Sequence, residues 1–165
     1  MKTWRFITII LTALSMAAAF GHLLELPAKL GFSGAKWLDL NQTLYGPGFG
    51  TLGAFCEVGA VISVLVLAVV VRRRRPAFAW TVAAAASVCA AHAVFWFLVA
   101  PVNAEIAPLS PDTLPKEWAD LRMQWEYSHA ARAILQMAAL AALIVSILAE
   151  TPRTLAERPA TATGD

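Results

Sequence analysis

Polar positions in this chain interrupt long apolar runs; they do not line one face of water-borne amphipathic helices. Four runs reach the roughly 20 mostly apolar residues that cross a bilayer: about 4–26, 48–71, 78–102 and 118–149. The last is amphipathic from Trp118 and fully apolar only over 133–149. No strand-like alternation of useful length and no internal repeat accompanies them. The pattern predicts an all-α, four-helix transmembrane bundle, one domain over residues 1–150, with a polar, proline-containing and disordered tail over 151–165.

Basic residues orient the spans. Lys2 and Arg5 precede the first span, Arg72, Arg73, Arg74 and Arg75 separate the second from the third, and Arg153 and Arg158 follow the fourth. The positive-inside rule puts all of these, and both termini, on the cytoplasmic side. Residues 27–47 and 103–117 then form the outer connections. Lys2, Arg5, an apolar core and Ala17-Ala18-Ala19 also fit a cleavable signal peptide. An uncut first helix, however, keeps every basic cluster on one side. In the first outer connection, 38–45 has the pattern of a short amphipathic helix lying in the interface. Trp37, Trp118 and Tyr127 suit an interfacial aromatic belt. Gly46-Pro47-Gly48 reads as a turn before the second span. Pro101, Pro108, Pro111 and Pro115 make most of the second connection non-helical.

Composition supports a membrane protein. The chain is 59% hydrophobic and 15% charged, with mean hydropathy +0.63, against about 45–50% and about 25% for soluble domains. The net charge of +2 conceals the arginine block, which is a topology signal and no nucleic-acid patch. Cys56 and Cys89 fall inside apolar runs and imply no disulfide framework; inert buried thiols are expected.

Against that background His22, Glu25, Glu57, His92, Glu126 and His129 stand out. A charged group at mid-bilayer costs about 2.5–3.5 kcal/mol on insertion scales. At 1.5 Å per residue, His92, His129 and Glu57 each lie roughly 15 Å below the outer end of their spans, and His22 and Glu25 are somewhat shallower. His22 and Glu25 share a helix face, as do Glu126 and His129. Glu-x-x-His is the half-motif of carboxylate-bridged di-metal bundles. The six side chains are therefore candidate ligands of a transition metal such as iron, copper or manganese. Alternatively, two imidazoles, His92 with His129 or His22 with His129, would ligate a haem. A third reading is internal ion pairing, with Arg122 one turn before Glu126 and Arg132 deeper, able to neutralise Glu57. Tyr45, Gln42 and Asn103 sit at the outer mouth, where they would meet a substrate or cap loops. A Ser128–His129 catalytic pair is unconvincing, because adjacent helical residues point about 100° apart.

Several short motifs resemble one family: Gly21-His22-Leu23-Leu24-Glu25-Leu26-Pro27-Ala28-Lys29, Gln42-Thr43-Leu44-Tyr45, Pro101-Val102-Asn103, and Trp118-x-x-Leu121-Arg122-x-x-Trp125-Glu126-Tyr127-Ser128-His129. They resemble the small four-span bacterial membrane proteins related to the anthrone-oxygenase-like family, over nearly the whole chain except the tail. The resemblance implies an oxygen-using oxidoreductase in the bacterial inner (cytoplasmic) membrane. It marks His22, Glu25, Gln42, Tyr45, Asn103, Arg122, Trp125, Glu126 and His129 as candidate site residues. Glu57 and His92 rest on depth alone.

The expectation is thus an integral membrane oxidoreductase acting on a small apolar or aromatic substrate, with a bound metal or haem of unknown identity. Catalysis would fall to His129, Glu126 and Arg122, the last orienting Glu126. Tyr45, Gln42, Asn103 and Trp125 would contact substrate. A cofactor-free version makes His129 the general base, removing a proton so that a carbanion meets oxygen. The other class is non-enzymatic, an assembly subunit or transporter whose buried charges pair. Transport requires a polar path, and in the inner halves of spans two and four only Ser63 and Ser146 interrupt the apolar run. The lipid bilayer is the expected partner, nucleic acid is not, and the oligomeric state is open.

Overall fold

The computed structural model describes residues 1–151. Four helices carry the fold: α1 (Lys2–Lys29), α2 (Gly34–Val71), α3 (Arg75–Ile106) and α4 (Trp118–Leu148). Each is long and apolar enough to cross a membrane. Among the described residues there is no strand. The disorder expected of the tail falls on residues 152–165, outside the described residues.

Two boundaries differ from expectation, and both differences involve proline. Residues 34–49 are helical, as Gly34–Leu40 and then the wider Asn41–Phe49, and run unbroken into the second apolar stretch. Pro47 has no N–H to give Thr43, so the ladder must change there. It does so by widening to i→i+5 turns over Asn41–Phe49, closed by the Gly50 N–H on the Tyr45 carbonyl. A Cβ on Gly46 would come 3.2 Å from the Asn41 carbonyl, and one on Gly50 3.3 Å from that of Tyr45. The wide turn therefore needs both glycines where they are. The same device recurs in α3, where Phe95–Val99 is wide just before Pro101 and the helix continues to Ile106. At the other end of α1, Pro27 removes only one bond of the last turn, and the helix carries on to Lys29.

The short connections have local causes. Ser33 Oγ accepts the Lys36 N–H at 3.4 Å and caps α2. Residues 72–74 make a tight turn, and Pro76 sits in the first turn of α3, where a missing N–H does no harm. Between α3 and α4, Ser110 and Thr113 cap each other around a single 3₁₀ turn, Pro111–Thr113.

The burial pattern inverts that of a soluble bundle. The buried residues of α1 are Arg5, Thr8, Thr12, Ser15, Ala19, His22 and Lys29. They recur at alternating steps of three and four up to His22, the seam spacing of closely packed helices. Phe6, Leu14 and Leu24 face outward instead. A helix with its polar stripe inside and its large apolar side chains outside is built for an apolar solvent.

Helices α1 and α4 run antiparallel, with Arg5 bonding Glu150 at 2.6 Å at one end and Lys29 meeting Glu126 at 2.8 Å at the other. At the arginine end, α2, α3 and α4 close on Ala60, Val64, Leu67, Val71, Ala84, Ala85, Val88, Ala139, Ala142 and Leu143. The small residues let the backbones approach. At the opposite end the core is aromatic, with Trp37, Tyr45 and Trp125 among Leu38, Val99, Val102 and Ile106.

Candidate functional site: a cavity between two ion-pair clusters

The six side chains singled out by depth divide into two clusters, each closed by a cation. The first centres on Lys29, which the sequence reading left unassigned. Its ammonium is 2.8 Å from Glu126 Oε2 and 3.5 Å from Glu25 Oε2, and it donates to His22 Nδ1 at 3.3 Å. The rings of Tyr45 and Trp125 lie 4.9 and 5.0 Å away, which compensates a buried ammonium further. Trp37 Nε1 donates to Glu126 Oε1 at 3.2 Å, and Tyr45 Oη donates to Glu25 Oε2 at 2.6 Å. Trp37 is wholly buried, so it belongs to this cluster and to no interfacial belt.

The second cluster centres on Arg132. Its guanidinium pairs with Glu57 and donates to His129 Nδ1 at 3.0 Å. Glu57 Oε1 also takes the Nδ1–H of His92 at 3.2 Å, and Trp96 Nε1 donates to His92 Nε2 at 2.9 Å. The pairing of Arg132 with Glu57 is the one expected from depth. The clusters touch through His22 and His129, whose rings stack with centroids 4.3 Å apart.

Arg122 does not orient Glu126. It donates to the carbonyls of Phe32 at 2.7 Å and Lys29 at 3.3 Å, capping the end of α1, and lies 4.7 Å over the Trp118 ring. Lys29 already holds Glu126, and the carbonyl end of α1 is the better use of a second cation.

A cavity of about 810 Å³ lies beside the second cluster. His22, Tyr45, Glu57, His92, Trp96, Trp125, His129 and Arg132 form its chemical wall, with Phe49, Phe95 and Ile106 among its apolar lining. Glu25, Glu126, Lys29 and Arg122 are not part of that lining. Two of the expected catalytic residues, Glu126 and Arg122, thus lie outside the wall of this cavity, and the third, His129, lies in it. Gln42 and Asn103 do line it, but both are engaged. Gln42 Nε2 donates to the carbonyls of Ile106, Ala107 and Leu109 at 3.1, 3.4 and 2.8 Å, and Asn103 Oδ1 accepts the Trp125 indole at 2.8 Å.

The donor set does not fit the expected metal or haem. Among the described residues, no three His, Cys, Asp or Glu side chains converge as ion ligands do. Both nitrogens of His92 are engaged. A haem with two axial imidazoles needs them on opposite faces of the macrocycle, and the tilted His22 and His129 rings, with centroids 4.3 Å apart, leave no room for one between them.

Hydrogen bonding does fix tautomers. Arginine and the ammonium can only donate, so Nδ1 of His129 and Nδ1 of His22 accept and the proton of each ring is on Nε2. The lone pair that a base role for His129 requires is taken by Arg132. His92 has the opposite arrangement: Glu57 holds its Nδ1–H and its lone pair is on Nε2. Cys56 and Cys89 are half-buried free thiols with no part in either cluster. No protein-family model, curated protein or solved structure matches the chain.

Proposed function

We propose that the chain is a multi-pass membrane oxidoreductase of oxygenase type, set in the bacterial inner membrane with both termini cytoplasmic, acting on a small planar apolar or aromatic substrate. The observation that carries this reading is an aromatic-lined cavity with a carboxylate–imidazole dyad, a guanidinium and two imidazole N–H donors in one wall. A cavity of this size suits a compact polycyclic ligand.

In this reading Glu57 orients His92, and His92 Nε2, once the Trp96 N–H has left it, takes a proton from an activated CH₂ next to an aromatic ketone. Arg132 and the Nε2–H groups of His129 and His22 stabilise the charge that develops on the ketone oxygen. The carbanion's electron pair goes to dioxygen, a C–O bond forms, and the proton returns from His92 to give a hydroperoxide. Loss of the second C–H proton with cleavage of the O–O bond leaves C=O and water. The balance is CH₂ + O₂ → C=O + H₂O.

The resemblance to anthrone oxygenases makes a polycyclic anthrone the first probe. Dioxygen uptake by the protein in lipid nanodiscs should match ketone formation one to one. His92→Ala should lower kcat by about 100-fold or more, the usual contribution of a positioned base. Uptake that stays at the protein-free rate with anthrones and related ketones removes this reading.

The second reading is a non-enzymatic charge network for assembly. It is favoured by the Lys29 cluster, in which the buried Glu126 is held by Lys29 and Trp37. It predicts that His92→Ala changes assembly or stability and leaves no turnover to lose.

A further inference from the structure

The cavity's wall is asymmetric. From α1 and α4 it takes Ser15, Ala18, Ala19, His22, Trp125, His129 and Arg132, all buried or half-buried. Among the described residues, every exposed residue of the lining lies on α2, on α3 or at Ala107 just after it. The cavity therefore reaches the surface along the seam between α2 and α3.

Side-chain hydrogen bonds cross that seam at two levels among the described residues. Gln42 bonds the carbonyls at the end of α3, and Glu57 bonds His92 below. Gln42 and Glu57 are 15 residues apart, so about 20 Å of seam lies between the ties. One lip carries the small residues Gly46, Gly50 and Ala54, with Phe49 and Val58 beside them. The other is Phe95 and Trp96, with the Trp96 ring 59% exposed. Both helices take their wide turns beside this opening, and such turns often mark functional sites. The residues flanking it on the outer surface, Leu52, Phe55 and Phe97, are 74%, 75% and 77% exposed. Side chains of that kind face lipid, not water.

We propose that a planar, lipid-dissolved substrate reaches the cavity sideways through the α2–α3 seam, and that the Trp96 indole is the leaf that closes the opening over His92. This rests on reading the cavity as a substrate site. Its chemistry is economical. With the leaf closed, the Trp96 N–H occupies the His92 lone pair; swinging it aside both widens the seam and frees that nitrogen. Among the described residues, the indole N–H is held in place by this single hydrogen bond. Gln42 staples α2 to the carbonyls of Ile106, Ala107 and Leu109 and so narrows the alternative route from the end of the bundle.

The test reads access, not turnover. Ser15 is buried and lines the cavity, so Ser15→Cys in a Cys56→Ser, Cys89→Ser background reports what arrives there. In proteoliposomes it is labelled either with pyrene maleimide, which dissolves in the bilayer, or with a sulfonated, membrane-impermeant maleimide supplied on both sides. Pyrene maleimide should react at least tenfold faster. Ala54→Trp, filling the small-residue lip, should slow it at least tenfold, and Trp96→Ala should speed it several-fold. Thr51→Trp serves as the plug if Ala54→Trp does not fold, and a cysteine at the exposed Leu24 checks that lipid-side labelling is unchanged. Equal rates for the two reagents, or plugs without effect, overturn the proposal. Absence of dioxygen uptake would overturn the catalytic reading and leave this measurement standing.

Discussion

The two ends of the bundle solve the problem of joining helices in lipid by different means. At the arginine end, alanine and valine surfaces of α2, α3 and α4 meet directly, with neutral hydrogen bonds such as Thr81 with Ser146 at 2.9 Å and, from α1, the Trp4 indole on the Ser63 carbonyl at 3.1 Å, and with one partly buried ion pair, Arg5 with Glu150, at the margin. At the cavity end, contact runs through two buried ion-pair clusters and a ring of aromatics. Between helices in lipid there is little hydrophobic drive, so close packing supplies the first kind of adhesion and charge the second. Charges are the more expensive way to hold helices together, since each ion pair must first offset its own desolvation. That expense is understandable where side chains border a cavity and packing alone cannot fill the space.

Removing one partner at the cavity end should produce the largest effect. Arg132→Met leaves the Glu57 carboxylate buried with only His92, and should cost about 3–5 kcal/mol of stability. The double variant Arg132→Met, Glu57→Leu should recover most of that, measured by reversible unfolding in mixed micelles. A double variant as unstable as Arg132→Met alone would show that the charges are not coupled as the distances imply. Lys29→Met should behave alike through Glu126, with Glu126→Leu as its rescuing partner. At the arginine end, Leu143→Ala should cost about 2–4 kcal/mol by opening a packing defect, with no partner able to rescue it and no change in labelling at the cavity. Thr81→Ala should cost about 1 kcal/mol, the usual worth of one hydrogen bond. Arg74→Ala should change stability least, by about 0–1 kcal/mol, because Arg74 is half exposed and stands 3.6 Å from a Glu150 that Arg5 already holds more closely. An Arg74 effect as large as that of Leu143 would erase the contrast between the ends.

How far the sequence reaches can be judged from particular residues. Depth alone brings Glu57, His92 and His129 to one level, with Arg132 deeper but within reach of Glu57, and these side chains do bond, because rise per residue is a rigid property of a helix. Face-sharing was less informative. Glu126 and His129 are three residues apart, about 60° around the axis, which is enough to send Glu126 to Lys29 and His129 to Arg132. Spacing fixes a face but not which neighbour that face will meet. Lys29 escaped notice because Pro27 was read as the end of the span; its seven-residue separation from His22 and four-residue separation from Glu25 were visible signals that it continued their face. The polar stripe from Arg5 to His22 was also legible, though threonines and serines taken singly look like harmless interruptions. What no spacing shows is the cavity. It arises where two helices part between two ties, and Gln42 and Trp96 acquire meaning only from the partners that folding gives them.

The wide turn of α2 has a further consequence, best put in terms of rotational phase. A segment closed i→i+5 holds more residues per turn than the α-helix on either side. It is a slipped phase between Trp37 on one side and Glu57 on the other, with Tyr45 inside it. Were it to rewind to i→i+4, everything before it would turn about the helix axis and advance along it. Tyr45 would then leave Glu25, and Trp37 would leave Glu126, while Glu57 stayed with Arg132. The helix is in that sense a screw: its fixed end is set in the charged wall of the cavity, and its thread lies at the lip of the seam.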